Sequence, residues 1–279
     1  MRILALLVML ILCGSASATA DVPLLFHGGT GVPHPGSGDA RAMWSEPPDL
    51  NGVIGTSEQI EPDLETEIVN DFVPTEAIIT RVTWWGGYYN NSLPCESGIQ
   101  TPGFILRFYE DADCDAPCPP LAELLVTDFS EEYLGCQNEQ YPLYKWSAAV
   151  ELPVIAGNTY WFSSQMITHA FPPQAGRLAS LGIVNCASLF WVNWFDVPPC
   201  QWTPCSEVFG VPYDASQEFY GDHYEACCFP DGRCEFALTQ VCQGAGGAGQ
   251  GPGTVCEPNP CSTTATRSTS WGGIRSVFR

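Results

Sequence analysis

Acidic side chains form the pattern in this chain that is best suited to chemistry. Four of them fall within six positions: Glu110, Asp111, Asp113 and Asp115. Carboxylates that alternate around a turn can surround a hard cation such as Ca²⁺. An EF-hand starting at Asp111 would need Gly and Glu where Ala116 and Ala122 stand, so the segment is not an EF-hand. It predicts either a calcium site or, more simply, an exposed acidic hairpin.

Indole rings are a second candidate, because exposed aromatic faces stack on sugar rings. Four tryptophans in predicted strands are the proposed contacts: Trp84, Trp85, Trp191 and Trp194. Trp84 and Trp85 are neighbours and point to opposite faces of their strand, so at least one should lie outside the core unless a loop covers it. Core packing is the competing interpretation of these aromatic residues.

Signatures of catalysis are scarce. The chain has no G-x-S-x-G and no H-E-x-x-H motif. Its four histidines are scattered, at His27, His34, His169 and His223. A pair of carboxylates of the kind that glycosidases use leaves no linear motif, so that chemistry stays open. We predict no catalytic residue, and no cofactor other than calcium.

The first twenty residues predict an export signal. Arg2 supplies a positive charge, an apolar run extends from Ile3 to Cys13, and small residues lead to an A-x-A cleavage site that ends at Ala20. No later segment is apolar over the roughly 20 residues that a membrane-spanning helix needs. We therefore expect a secreted or cell-surface protein that is cleaved after Ala20.

Cysteine usage supports this compartment, because disulfides persist outside the cytoplasm. Thirteen cysteines would remain after cleavage, and we predict that they form disulfides: Cys95, Cys114, Cys118, Cys136, Cys186, Cys200, Cys205, Cys227, Cys228, Cys234, Cys242, Cys256 and Cys261. Seven of them precede residue 223. Since seven is odd, one is free, pairs across domains or bridges two chains. Cys200 and Cys205 are expected to close a small loop.

The charge balance excludes one class of partner. The chain carries 31 acidic and 10 basic residues, and loss of the signal would change its formal net charge from −21 to −22. Nucleic acids are bound by basic surfaces, so a nucleic-acid partner is excluded, and anionic membranes are disfavoured.

Segments rich in β-branched and aromatic residues predict an all-β fold. The segment 78–85, closed by Gly86-Gly87, and the segment 103–109 are of this type. From 144 to 152 the apolar residues fall on even positions, and Lys145, Ser147 and Glu151 on odd ones, which indicates a strand with one solvent-facing side. Further strands are predicted at 65–73, 121–129, 157–166, 187–195 and 217–220. We expect a two-sheet antiparallel sandwich that is jelly-roll-like.

Four segments resemble a family of bacterial secreted β-sandwich domains. They are I-V-N-D-F at 68–72, I-T-R-V-T-W-W-G-G-Y at 79–88, F-I-L-R-F-Y-E-D at 104–111 and A-G-N-T-Y-W-F at 156–162. The likeness covers about residues 55–221. This chain has N-D-F where the family has D-D-F, and an insertion with Cys114, Cys118 and Cys136 replaces a small hairpin. The family is mostly uncharacterised, so the resemblance implies a fold and a secreted location but no catalytic residues.

The C-terminal part carries two further likenesses. C-C-F-P-D-G-R-C at 227–234, with Cys242, Cys256 and Cys261, is similar to a short repeat appended to secreted bacterial proteins. A segment this short cannot bury enough apolar surface to fold unaided, and we therefore expect disulfides to hold it together. A zinc site is the alternative. W-G-G-I-R at 271–275 resembles the tails of some exported proteins, and predicts either a sorting signal at the cell envelope or a frayed terminus.

These observations divide the chain into a signal peptide (1–20), a β-sandwich domain (21–222), a cysteine-rich module (223–261) and a polar linker with a short basic motif (262–279). We expect a secreted, non-catalytic protein that serves adhesion, matrix or ligand binding, with a glycan or the extracellular matrix as its partner. The alternative is a carbohydrate-active protein, either a binding module or a glycoside hydrolase, assisted by calcium.

Overall fold

Strands dominate the structure, a computed structural model that describes residues 42–61, 64–89, 95, 101–168, 174–193 and 200–261. In chain order the strands are β1 (Ala42–Glu46), β2 (Ile54–Thr56), β3 (Glu58–Glu61), β4 (Leu64–Phe72), β5 (Ile78–Tyr89), β6 (Phe104–Glu110), β7 (Ala122–Val126), β8 (Ser130–Gln137), β9 (Tyr141–Pro153), β10 (Tyr160–Ile167), β11 (Gln174–Leu178), β12 (Leu189–Asn193), β13 (Thr203–Pro204), β14 (Gln217–Asp222), β15 (Tyr224–Cys228), β16 (Cys234–Leu238) and β17 (Ala248–Gly249). Two short helices are α1 (Cys205–Phe209) and α2 (Thr239–Gly244). The predicted all-β fold is confirmed.

The strands form two seven-stranded sheets and a small third one. In the first sheet β5 pairs with β9, and β9 with β8. Along its other edge, the first part of β5 pairs with β14 and the last part pairs with β11. Strand β14 then pairs with β1, and β11 pairs with β2. The second sheet has the order β13-β12-β4-β3-β10-β6-β7. The expected antiparallel two-sheet sandwich is confirmed, and within it strands β3 and β10 form a parallel pair.

Aromatic side chains fill the space between the two large sheets. Trp84 and Trp146 of the first sheet meet Phe104 of the second at ring-centroid distances of 4.8 and 5.1 Å. The even-numbered residues Tyr144, Trp146 and Ala148 of β9 are all buried in this core, as their alternation predicted.

The glycine pair at 86–87 does not end its strand. Strand β5 continues to Tyr89, and the two glycines pair with Arg177 and Gly176 of the neighbouring strand β11. A Cβ atom on Gly86 would stand 2.1 Å from the Gly176 carbonyl oxygen. The expectation that this pair closes the strand was therefore wrong, because the pair serves close strand packing instead.

Three disulfides cross-link the sandwich: Cys95–Cys136, Cys114–Cys186 and Cys118–Cys200. The expected Cys200–Cys205 loop is therefore wrong. Cys205 begins α1 and is fully buried beside Ile68, Tyr213 and Ala215, which leaves it as the free thiol among the described cysteines. Burial, followed by the nearby Asp214 carboxylate, raises the pKa of this thiol far above its usual value.

The C-terminal cysteines hold the third sheet, which has the order β16-β15-β17. All six are paired, as Cys227–Cys242, Cys228–Cys261 and Cys234–Cys256. The zinc alternative is wrong, since every sulfur in this region is bonded to another sulfur.

Asp222 and His223 connect the sandwich to the cysteine-rich region. The Asp222 carboxylate accepts a hydrogen bond of 3.1 Å from the Gln240 amide at the start of α2. The His223 ring lies 3.0 Å from the Glu76 carboxylate, which follows β4 in the sandwich. The two parts therefore share polar contacts as well as chain connectivity.

Several predictions made from sequence lie outside the described residues. They are the export signal, His27, His34, His169, Trp194 and the segment 262–279. Within the described residues, no helix has the length and apolar character needed to cross a membrane.

The buried thiol of Cys205 should react only after unfolding. In a chain produced from Asp21 onward, which lacks Cys13, we expect no alkylation under native conditions and one modified thiol per chain in denaturant, because the side chain is fully buried. Cys205→Ala should remove that single thiol and keep the far-ultraviolet circular dichroism spectrum. Stoichiometric labelling of the native protein would contradict the assignment.

Candidate functional site

The acidic side chains of the predicted calcium site have different surroundings. Asp111 accepts a hydrogen bond of 2.9 Å from the Trp161 indole, and the Asp115 carboxylate accepts one from the Ala116 amide. Asp113 is exposed and has a left-handed backbone conformation. Within the part of the chain that the structure describes, no three His, Cys, Asp or Glu side chains are grouped to hold a metal ion. The acidic stretch alone therefore gains no support as a calcium site.

The predicted sugar-stacking tryptophans are buried. Trp84 lies in the core between the sheets and Trp191 is 6 % exposed on β12. Trp85 does point to the other face of β5, as expected, but it packs against Leu143 and Leu178 and is 8 % exposed. Because none of the three offers a free ring face, these described indoles do not form the platform that the sequence suggested.

The outer face of the second sheet carries an ionic network around Arg107, which we call the Arg107 cluster. Its members are Glu65 and Glu67 of β4, Arg107 and Tyr109 of β6, Glu123 of β7 and Gln165 of β10. The guanidinium of Arg107 contacts Glu123 at 2.6 Å, Glu67 at 3.0 Å and the Gln165 amide oxygen at 3.0 Å. Tyr109 donates a hydrogen bond of 2.8 Å to Glu67.

Burial makes this cluster a tightly coupled unit. Burial alone would lower the pKa of Arg107, but Glu67, Tyr109 and Glu123 raise it above its ordinary value. Burial raises the pKa of Glu65, with Arg107 acting in the opposite direction. The donors of Arg107 are taken up by protein acceptors, so the cluster holds strands together rather than offering its charge to a ligand.

The cysteine-bearing insertion covers the neighbouring part of the same face. Ala116 is fully buried on Val69, Tyr109 and Trp161, which point away from the main core. Trp202 donates a hydrogen bond from its indole to the Ala116 carbonyl and packs edge-on against Tyr109. Disulfides at positions 114 and 118 fix the insertion in this place.

The outer face of the first sheet is different, because it has an open polar depression, which we call the Arg81 groove. Its lining comes from four neighbouring strands: Tyr220 of β14, Arg81 and Thr83 of β5, Lys145 and Ser147 of β9, and Ser130 and Glu132 of β8. Strand register places Tyr220 opposite Arg81, Thr83 opposite Ser147, and Lys145 opposite Glu132. The groove has a volume of about 240 Å³.

Its two basic side chains have weak partners. The Arg81 guanidinium stacks 3.6 Å from the centre of the Tyr220 ring, and within the described residues no carboxylate lies within 4 Å of it. Lys145, the single lysine of the chain, is 3.8 Å from Glu132, and both side chains are more than one third exposed. An exposed ion pair such as Lys145–Glu132 contributes little to stability. The positive charges of Arg81 and Lys145 therefore remain available to a ligand.

Hydroxyl groups line the floor between these charges. The Thr83 and Ser147 side-chain oxygens are 2.9 Å apart, and Ser147 also donates to the Val82 carbonyl. Tyr220 donates a hydrogen bond of 2.6 Å to Glu218, and burial followed by this bond raises the pKa of its phenol. The groove therefore offers a dense set of donors and acceptors and little apolar surface.

Sequence reasoning found the strand face but not the groove. Lys145 and Ser147 were predicted to stand on the wet side of β9, which is where they lie. Arg81, Thr83 and Tyr220 belong to strands that the hydrophobic pattern predicted without assigning faces. Strand β8, which supplies Ser130 and Glu132, was not predicted because its sequence S-E-E-Y-L-G-C-Q is mostly polar.

A separate set of carboxyl groups is buried inside the sandwich. Glu46 accepts hydrogen bonds from Trp44 and Asn70, and Asp214 accepts three from Val184 and Ser188. Burial raises the pKa of Glu46 to about 9 and that of Asp214 to about 7. Each also lies close to other carboxylates, which adds to the shift. These groups lie inside the fold and away from the Arg81 groove.

Comparison with known proteins gives a family without an assigned activity. A family model described as a domain of unknown function, DUF7901, matches residues 42–202, which is more than half of the chain. The chain belongs to this family. Neither the curated proteins nor the solved structures contain a match to the chain.

Removing the centre of the Arg107 cluster should be costly. Arg107→Gln leaves the carboxylate of Glu67, which is 3 % exposed, buried without its cation, so the free energy of unfolding should fall by about 3 to 5 kcal/mol. Arg233→Gln is the matched control, because Arg233 is 55 % exposed and should change stability by less than about 1 kcal/mol. Urea unfolding measures both, and equal losses would contradict the account.

Stability should fall as the pH rises through neutrality. Five carboxyl groups have a raised pKa in the folded state: Glu46, Glu58, Glu65, Asp71 and Asp214. The folded protein then binds more protons than the unfolded chain, so these groups stabilise it at low pH and lose that effect as the pH passes about 6 for Asp71, about 7 for Asp214 and about 9 for Glu46.

Thermal unfolding at a series of pH values checks this expectation. The Tm should be highest in mild acid and should decline toward mildly alkaline pH. Asp71→Asn should flatten the decline near pH 6, whereas Asp113→Asn, which also removes one acidic charge but at an exposed position, should keep it. A Tm that rises between acid and neutral pH would be the opposite of what we expect.

Proposed function

We propose that this protein is a secreted, non-catalytic binding protein of the extracellular space, and that the Arg81 groove takes a hydroxyl-rich ligand such as part of a glycan. The observation that carries the proposal is the groove itself. Two basic side chains with weak partners, three small hydroxyls, a phenol and one carboxylate converge on one open face. Sugars present vicinal hydroxyls that such donors and acceptors recognise.

The dimensions of the groove fit a short segment of a larger ligand. Its volume of about 240 Å³ is below the roughly 300–1,000 Å³ of a typical small-molecule site. The groove is open to solvent along the sheet, so a chain of sugar units could continue beyond it. The low apolar content implies that hydrogen bonds, including those of Arg81 and Lys145, supply most of the specificity.

Binding is favoured over catalysis by the content of the groove. Hydrolysis of a glycosidic bond uses two carboxyl groups on either side of the bond. Glu132 is the one carboxylate in the described lining, and it is 66 % exposed beside Lys145. The lining also lacks histidine. The residues present can hold a polar ligand, but they do not make an acid–base pair.

The extracellular location is proposed on the disulfides. Six disulfides join twelve of the thirteen described cysteines, and three of them cross-link a region of fewer than 40 residues. Bridges of this density persist in oxidising compartments. The predicted export signal at residues 1–20 supports the same location.

A glycan array with three variants of the mature chain tests the proposal. We expect the wild-type protein to bind a restricted set of glycans. Arg81→Gln and Lys145→Gln should each weaken binding about tenfold or more, because each removes a charge-assisted hydrogen bond. Arg233→Gln is the control: it removes the same charge from the cysteine-rich region and should bind like the wild type.

Thermal unfolding of each variant shows whether the fold is retained. The groove assignment fails if both groove variants bind as strongly as the wild type. Absence of glycan binding by the wild-type protein would favour a structural role in the matrix instead. Release of free sugar from a bound glycan would place the protein among hydrolases and would contradict the non-catalytic assignment.

A further inference from the structure

Asp71 is an unusual residue in the second sheet. Its side chain is fully buried, and neither carboxylate oxygen accepts a hydrogen bond of normal geometry. The Asn185 side chain and the Cys186 amide lie close enough to lower its pKa, but they do not meet the geometry of a hydrogen bond. A buried carboxylate is normally paired with a cation or with several donors. The donors nearest to Asp71 are therefore poorly aligned, and among the described residues no cationic side chain pairs with it.

A second carboxylate lies near it. Asp71 is opposite Trp161 in the strand register, and the Trp161 indole donates a hydrogen bond of 2.9 Å to one oxygen of Asp111. The nearby Asn185 side chain lowers the pKa of Asp71, whereas the negative charge of Asp111 raises it. Two carboxylates and one amide thus surround the same part of the outer face.

The surrounding backbone holds these groups in place. Asn185 has a left-handed backbone conformation with φ of 59°. The next residue, Cys186, is bonded to Cys114, which lies in the insertion just beyond Asp111. The disulfide therefore ties the segment that carries Asn185 to the segment that carries Asp111.

Solvent reaches Asp111 from one side. Glu110 and Asp111 line an open depression of about 480 Å³ together with the loop that contains Asn158 and Thr159. An ion that enters this depression meets Asp111, which is the proposed ligand that lines it. Its remaining ligands could be water molecules or backbone carbonyl groups.

We propose that Asp71, Asp111 and Asn185 bind one Ca²⁺ ion. Calcium takes carboxylate, amide and backbone carbonyl oxygens in irregular geometry, with water completing the shell. The sulfurs of Cys114 and Cys186 are bonded to each other, so a thiolate-binding metal such as zinc has no ligand there. The ion would neutralise Asp71 and join β4 to the insertion. The site is separate from the Arg81 groove, so the proposal does not depend on glycan binding.

Sequence reasoning had found one of the three proposed ligands. Asp111 belongs to the acidic stretch that suggested calcium. Asp71 precedes it by forty positions in a different strand, and Asn185 follows it by more than seventy, so no local pattern could join the three. Asp113 and Asp115, the other members of the stretch, are not part of the proposed site.

Thermal unfolding of the mature chain at neutral pH, with Ca²⁺ or with a chelator, tests the proposal. Calcium should raise the Tm of the wild type by several degrees, and Mg²⁺ should do so less, because it requires regular octahedral geometry. Asp71→Asn should abolish the calcium effect. Its Tm in chelator should equal or exceed that of the wild type, because the unpaired charge is gone.

Two further variants keep the test decisive if Asp71→Asn fails to fold. Asp111→Asn retains an oxygen for the Trp161 indole and should weaken calcium binding at least tenfold in isothermal titration calorimetry. Asp113→Asn, in the same stretch, should bind like the wild type with one ion per chain. The proposal is overturned if calcium leaves the wild-type Tm unchanged, or if Asp111→Asn binds calcium as tightly as Asp113→Asn.

Discussion

Two disulfides decide which face of this sandwich is closed. Cys114–Cys186 and Cys118–Cys200 fasten the insertion after β6 across the outer face of the second sheet. They close loops with sequence separations of 72 and 82 residues, and in the chain-entropy account each stabilises the fold by about 4 kcal/mol. Val69, Tyr109 and Trp161 are buried as a result. Among the described residues, no such insertion covers Arg81 and Lys145 on the first sheet, where the polar groove is open.

The closed face explains why so many polar groups are buried. Glu67 and Gln165 in the Arg107 cluster are almost inaccessible, yet each has hydrogen-bond partners. The Asp71 carboxylate, on the same face, accepts no hydrogen bond of normal geometry. A bound cation, as we propose, would balance its buried charge. The members of such a buried network depend on one another, because removal of one partner leaves an uncompensated charge. One outer face is thus covered and cross-linked, and the other is the face for which we propose ligand binding.

Local patterns were enough for the fold class but not for the contacts between distant segments. The alternation in β9 predicted both the buried Trp146 and the exposed side of Lys145. Spacing misled us for Cys200 and Cys205, because the three-dimensional neighbour of Cys200 is Cys118, 82 residues away. Trp85 shows the same limit: its outward direction followed from the strand period, but its cover by Leu143 and Leu178 is a tertiary contact that no strand pattern contains.

Oxidised disulfide bridges hold the insertion over the second sheet. The most direct test is a peptide map of the native protein, digested without reduction and analysed by mass spectrometry. The account predicts one cross-linked pair that joins Cys114 to Cys186 and another that joins Cys118 to Cys200. A peptide pair that joins Cys200 to Cys205, or recovery of Cys114 and Cys118 as free thiols, would contradict it.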